Sequence, residues 1–222
     1  APELARARRD LAAELADQLA RIHSIIPTVD DELFNGDEPT SNPANTALTH
    51  LAGFVEAFTT PRPAMTRVIA WLQANQPARE EVVLNHGDFR TGNFMVVPDG
   101  LTAVLDWEFS HWGSPAEDLA WICVRDWRFG RLDHPVGGFA PRAAFLAAYE
   151  AASGRELDVK TLLWWEVMGN ARWAVGAMQQ AVRYLTGQER DIEHLAIGRR
   201  TVEMEWEALR LIRTGVPKWR SA

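Results

Sequence analysis

Leu84-Asn85-His86-Gly87-Asp88-Phe89-Arg90-Thr91-Gly92-Asn93, followed by Val104-Leu105-Asp106-Trp107-Glu108, is the stretch from which the rest of the chain can be read. The segments around it, Val82–Leu84, Phe94–Val97 and Leu101–Leu105, are short, apolar and rich in β-branched residues, the composition of strands. Pro98-Asp99-Gly100 between the last two is a turn, because Pro presets φ and Gly accepts a positive φ. Asn93 and Asp106 then flank the two ends of one hairpin and meet at its mouth. Asp88 lies in the loop just before it, so three oxygen-bearing side chains converge.

Phosphoryl transfer asks for this set. It needs a group that positions and deprotonates the attacking hydroxyl, and hard oxygen ligands for a cation that bridges phosphates. Protein kinases place an Asp base, an Asn five positions on and a further Asp downstream. Here Asn93 follows Asp88 at that spacing, and Asp106 comes eighteen residues after Asp88. An Asp-x-x-x-x-Asn alone is a common accident. His86 two residues before the Asp, a hairpin between, and an Asp at a strand end make the pattern specific.

His86-Gly87-Asp88-Phe89-Arg90-Thr91-Gly92-Asn93, with residues 105–121 (LDWEFSHWGSPAEDLAW), resembles the signature of the aminoglycoside phosphotransferase family. That family is the small-molecule branch of the protein-kinase-like fold and is related to choline kinases. His-Gly-Asp stands where protein kinases have His-Arg-Asp, and Asp-Trp-Glu where they have Asp-Phe-Gly, which favours a small-molecule acceptor. The resemblance implies Asp88 as the catalytic acid, Asn93 and Asp106 as Mg²⁺ ligands, and ATP or GTP as phosphoryl donor. It implies a bracing role for Asp118 beneath the loop. His86 is expected to stack under the loop and bond backbone, and Glu108 to approach the substrate or a second metal position. The motifs cover residues 84–121.

The 222 residues suit one domain or one large lobe. A net charge of −7 argues against nucleic acid as a partner and is compatible with a cationic one. The single cysteine, Cys123, allows no internal disulfide, so a reducing, cytoplasmic setting is expected. The N-terminal segment is charged and amphipathic and has no apolar signal-peptide core. The expected fold is α+β and mostly helical: a kinase-like C-terminal lobe with a small β-hairpin region carrying the catalytic loop.

Helices are expected over 3–26, 44–58, 61–75, from Ser114-Pro115 through Ile122, and over 141–153, 158–186 and 190–214. The 158–186 helix is apolar nearly all round and belongs at the centre of a bundle. Polar residues such as Glu166, Asn170 and Arg172 interrupt it too often for a membrane span. The last helix should bury Ile192, Leu195, Val202, Trp206, Leu209 and Ile212. Residues 27–43 read as a solvated loop whose acids (Asp30, Asp31, Glu32, Asp37, Glu38) offer the alternative of attracting a polycation. His23 reads as a packed or capping histidine. Ten tryptophans are many for this length; Trp164, Trp165 and Trp173 suit core packing, with pocket lining as the alternative.

No Gly-x-Gly-x-x-Gly and no Walker-type Gly-Lys loop occurs. The two lysines, Lys160 and Lys218, both follow the catalytic loop, whereas a kinase takes its phosphate-binding Lys from an N-terminal lobe before it. The expectation is therefore a C-terminal lobe without the ATP-cradling lobe, poorly active by itself. Two other classes stand beside it: a non-catalytic, pseudokinase-like binding module, and a metal-dependent hydrolase using His86, Asp88 and His111. Retention of Asp88, Asn93 and Asp106 speaks against the first. The absence of a His-x-x-x-His or cysteine pair speaks against the second.

Overall fold

The catalytic-loop segment is held between two short antiparallel ribbons, and helices enclose both. In the computed structural model, residues 2–28, 41–58 and 60–215 are described; the acidic run of the 27–43 loop lies outside them. Helix α1 (Ala5–Ile22) is followed by α2 (Pro43–Glu56) and α3 (Pro63–Ala74). Strands β1 (Val83–Asn85), β2 (Phe94–Val97), β3 (Gly100–Val104) and β4 (His111–Gly113) come next. The chain closes with α4 (Pro115–Trp121), α5 (Arg142–Ser153), α6 (Val159–Leu185), α7 (Ile192–Gly198) and α8 (Thr201–Thr214). This is the mostly helical, kinase-like arrangement expected.

Local chemistry sets the boundaries. Asn42 caps α2 by accepting from the Asn45 N–H, with Pro43 at the first helical position. Ser114 and Pro115 begin α4 in the same way. Asp158 caps α6 through Thr161. Helix α1 stops at Ile22 rather than running to residue 26. The Ser24 hydroxyl takes the Arg21 carbonyl, and the chain turns so that the Ile25 carbonyl can accept from Leu84 N–H at 2.9 Å. Ending the helix early thus supplies a backbone partner to β1.

Pairing β2 with β3 makes the expected hairpin, with a bulge between Met95 and Val96. Glu14 of α1 accepts from Leu101 N–H at 2.7 Å and ties the hairpin to the helical body. The second ribbon, β1 with β4, aligns Asn85 with His111. Strand β4 is absent from the expected elements, because three residues containing a single tryptophan show no alternation to detect.

Helix α6 is the axis of the bundle and packs against α2, α3, α4, α7 and α8, while α1 packs on α5. Trp164 and Trp165 are fully buried on it, and each indole N–H finds a partner, Leu72 O at 2.9 Å and Glu80 Oε1 at 2.6 Å. Truncating either to Ala costs about 3–5 kcal/mol by the usual toll of an emptied aromatic site.

The expected 190–214 helix is two helices. Gly198 lets α7 lie flush on α6, where a Cβ would collide with Ala181. Thr201 then donates its hydroxyl to Gly198 O at 2.8 Å, and α8 restarts with a different face inward. Met204, Ala208 and Leu211 are buried, whereas Ile192, Val202 and Trp206 of the expected stripe are exposed.

Candidate active site

Asp118, on the first turn of α4, anchors the loop. Its Oδ2 accepts from His86 N–H at 2.7 Å and its Oδ1 from Gly87 N–H at 3.0 Å. His23 reaches the same carboxylate at 3.3 Å and Tyr149 OH at 2.8 Å through its other ring nitrogen. Burial, which alone would raise the Asp118 pKa, is outweighed by the bond and charge of His23, by His86 and by the backbone donor, so it is held below the ordinary carboxylate value. Gly87 has φ +79°, and a Cβ there would strike the Phe109 carbonyl.

His86 is wedged under the loop, against Trp107 at 4.6 Å between ring centroids and edge-on to Phe89. Its Nδ1 lies 3.2 Å from Asp88 N and its Nε2 2.9 Å from Leu105 O. Since the backbone N–H can only donate and the carbonyl only accept, the ring carries its proton on Nε2. One imidazole thereby joins the Asp88 loop to the strand end that leads into Asp106.

Asp88 is buried, and donors surround its carboxylate. Trp121 Nε1 reaches Oδ1 at 2.7 Å, Asn93 Nδ2 reaches Oδ2 at 2.8 Å, and Arg90 Nε lies 3.1 Å from both oxygens. Asn93 Nδ2 also donates to the Asp88 carbonyl at 2.9 Å. A carboxylate offers about four lone-pair sites; Trp121 takes one on Oδ1, Asn93 takes one on Oδ2, and the single Arg90 Nε–H is shared between the two oxygens, which leaves acceptor capacity for a substrate hydroxyl. Arg90 in turn lies over the Trp127 ring at 4.6 Å.

The hairpin brings Asp106 to this place, as Leu105 N–H donates to Asn93 O at 2.8 Å. Asp106 sits at φ 69°, ψ 63°, a left-handed conformation costing about 1 kcal/mol even for a residue type that tolerates it. It precedes a 3-10 turn, Trp107–Phe109, that carries Glu108. Asp88, Asp106 and Glu108 line one cavity of about 780 Å³. With its Nδ2 committed to Asp88, Asn93 keeps Oδ1 for another partner, and Asp106 is exposed at the cavity. An amide oxygen and a carboxylate are hard donors of the kind Mg²⁺ takes, so the residues present fit that ion.

Elements distant in sequence build the rest of the wall. Phe54 and His50 come from α2, Trp121 and Glu117 from α4, and Arg172 and Trp173 from α6. Arg172 lies over the Trp121 ring at 4.7 Å and donates to Glu117 at 3.0 Å and to Gly87 O at 3.2 Å. His111 bonds Glu117 at 3.1 Å. Burial, which alone would lower the His111 pKa, is outweighed by the Glu117 carboxylate, and the group is pushed up to about 9.

The structure thus gathers Asp88, Asn93, His86 and Asp106 at one place and puts Asp118 beneath them. His111 belongs to the Glu117 pair, and among the described residues no group of three or more His, Cys, Asp or Glu is placed to hold a metal ion. Trp164 and Trp165 are core residues, although Trp165 and Trp173 also reach the cavity. Sequence reasoning missed Trp121, Arg90, Glu117 and Arg172. The signal for the first three lay inside the quoted motif, since each is within a turn of a singled-out acid.

A family model described as "Phosphotransferase enzyme family" matches residues 1–159. Among solved structures, a Ralstonia eutropha protein provisionally described as an aminoglycoside phosphotransferase superposes with a TM-score of 0.74 at 23% identity, covering 95% of this chain and 68% of that one. A choline/ethanolamine kinase family protein from Mesorhizobium loti gives 0.62 at 15% identity, covering 94% and 63%. Among curated sequences, mouse acyl-CoA dehydrogenase family member 10 is 43% identical over 70 residues, 31% of this chain and 6% of that protein. The Arabidopsis thaliana protein described as probable acyl-CoA dehydrogenase IBR3 is 31% identical over 123 residues, 48% of this chain and 15% of that protein. The chain thus spans a small fraction of the curated relatives it matches.

Proposed function

The chain belongs to the phosphotransferase enzyme family, and from that footing we propose that it transfers the γ-phosphoryl group of a nucleoside triphosphate, ATP or GTP, to a hydroxyl of a small molecule. The observation that carries the reading is the Asp88 carboxylate, fixed by Trp121, Asn93 and Arg90 on the wall of a cavity large enough for a metabolite-sized acceptor. Asp88 orients the acceptor hydroxyl and takes its proton as the oxygen attacks phosphorus. Asn93 and Asp106 hold Mg²⁺, which when bound neutralises phosphate charge. His86 and Asp118 keep the loop in register, and Glu108 faces the acceptor. Most of the rate comes from positioning and electrostatics.

We place this chain on the acceptor side of a two-lobed protein. No Gly-rich phosphate cradle or preceding lysine occurs in it, and it covers only 68% and 63% of the two structural relatives above. Coupled-assay turnover of ATP and GTP against a panel of hydroxylated metabolites, with and without a nucleotide-cradling lobe, tests the reading. Transfer is expected with the second lobe and lost in Asp88→Asn. A protein that neither binds Mg²⁺-nucleotide nor turns it over is a binding module instead.

A further inference from the structure

A second cavity, of about 520 Å³, lies between the 3-10 turn Arg125–Arg128, the segment 132–142 and α8. Its wall is arginine-rich: Arg125, Arg128, Arg142 and Arg210 all line it. Two buried carboxylates stand against these four guanidiniums. Glu166 takes Arg142 at 2.6 Å and Arg128 at 3.2 Å. Glu207 takes Arg210 at 2.7 Å, Arg128 at 3.3 Å and Arg125 at 3.6 Å. A third acid, Glu203, is half exposed and reaches Arg125 only at 3.8 Å. Asp133 also lines the cavity, but it is exposed and engaged by Arg131 and His134. Cys123 is a neutral thiol, its pKa raised by burial.

Even with Glu203 counted, the cluster carries one positive charge that no described carboxylate matches. The two buried guanidiniums, Arg128 and Arg142, are matched by Glu166 and Glu207, so the unmatched charge falls on the partly exposed Arg125 and Arg210, where an anion can meet it. The apolar part of the wall is equally specific. Trp206 is about half exposed, with Arg125 stacked over it at 5.2 Å, and Leu132, Pro135 and Pro141 complete the rim. A large aromatic turned out of the core beside a cationic floor is the pairing that takes a planar or aromatic anion.

We propose that this cavity is a second ligand site, separate from the Asp88 pocket, for a small anion bearing a flat apolar group, an aryl or heteroaryl phosphate or carboxylate. The anionic head is held first by Arg125, whose nearest carboxylates stand 3.6 and 3.8 Å away, with Arg210, forked on Glu207, adding its charge beside it, while Arg128 and Arg142 fix Glu166 and Glu207 below them. The flat group packs against the part of Trp206 that Arg125 leaves open. None of these residues lines the Asp88 pocket, so the site does not depend on phosphoryl transfer.

Isothermal titration of the purified protein with phenyl phosphate, inorganic phosphate and benzoate tests it. Phenyl phosphate is expected to bind saturably and more tightly than inorganic phosphate, and benzoate reports whether a carboxylate suffices. Arg125→Gln should weaken binding about tenfold, the worth of one charge-assisted hydrogen bond. Glu203→Gln, a half-exposed change that leaves the fold alone, should tighten it. Trp206→Ala should erase the preference for the aryl anion. No saturable binding of any of the three, or affinities indifferent to both charge changes, overturns the proposal; indifference means the anion sits elsewhere, such as beside Arg172.

Discussion

Trp121 Nε1 stands 2.7 Å from Asp88 Oδ1, a buried indole N–H donating to the carboxylate on which the proposed chemistry turns. The bond orients Asp88. Trp121→Phe keeps the ring and deletes the donor. We expect kcat to fall about tenfold or more, as for removal of a hydrogen bond to a charged group, with nucleotide KM unchanged. Steady-state kinetics on the protein with the proposed nucleotide-cradling lobe supplied decides it; an unaltered kcat removes Trp121 from the mechanism.

Asp118→Ala leaves the His86 and Gly87 N–H groups buried without acceptors. The expected loss of stability is about 3 kcal/mol or more. Urea unfolding should show the midpoint falling at constant m. A loss below about 1 kcal/mol would mean that water or His23 replaces the carboxylate.

His111 gains protons on folding, since its pKa rises from 6.5 to about 9 beside Glu117. A raised folded-state pKa gives stability that is fully present below pH 6.5 and drains away as pH climbs through 9. His111→Gln should therefore melt lower than the parent at pH 6, with the gap closing by about pH 9.5. A gap independent of pH would show that the ion pair contributes nothing.

Asp106→Asn keeps the side-chain shape and a residue type at home in the left-handed region, while removing the charge. Melting temperature should hold, and Mg²⁺-dependent nucleotide binding should drop by at least about tenfold in calorimetry. Retained binding would take Asp106 out of the metal set.

The hairpin and its flanking loops were legible because Pro98-Asp99-Gly100 and the β-branched runs act within a few residues. Helices α2 to α6 were legible from their apolar period, and α4 also from its Ser114-Pro115 start. The rest of the cavity wall was not, because Arg172, Glu117 and Phe54 meet only after three helices have packed. The break before α8 was hidden for a related reason. Gly198 inside an apolar period reads as a tolerated glycine until Ala181 is seen beneath it.

Helix α6 lines the Asp88 cavity with Arg172 and, six residues earlier and therefore about 9 Å back along the same rod, holds Glu166 behind the arginine wall of the second cavity through Arg128 and Arg142. One helix thus carries part of the lining of the first cavity and a counter-charge for the wall of the second.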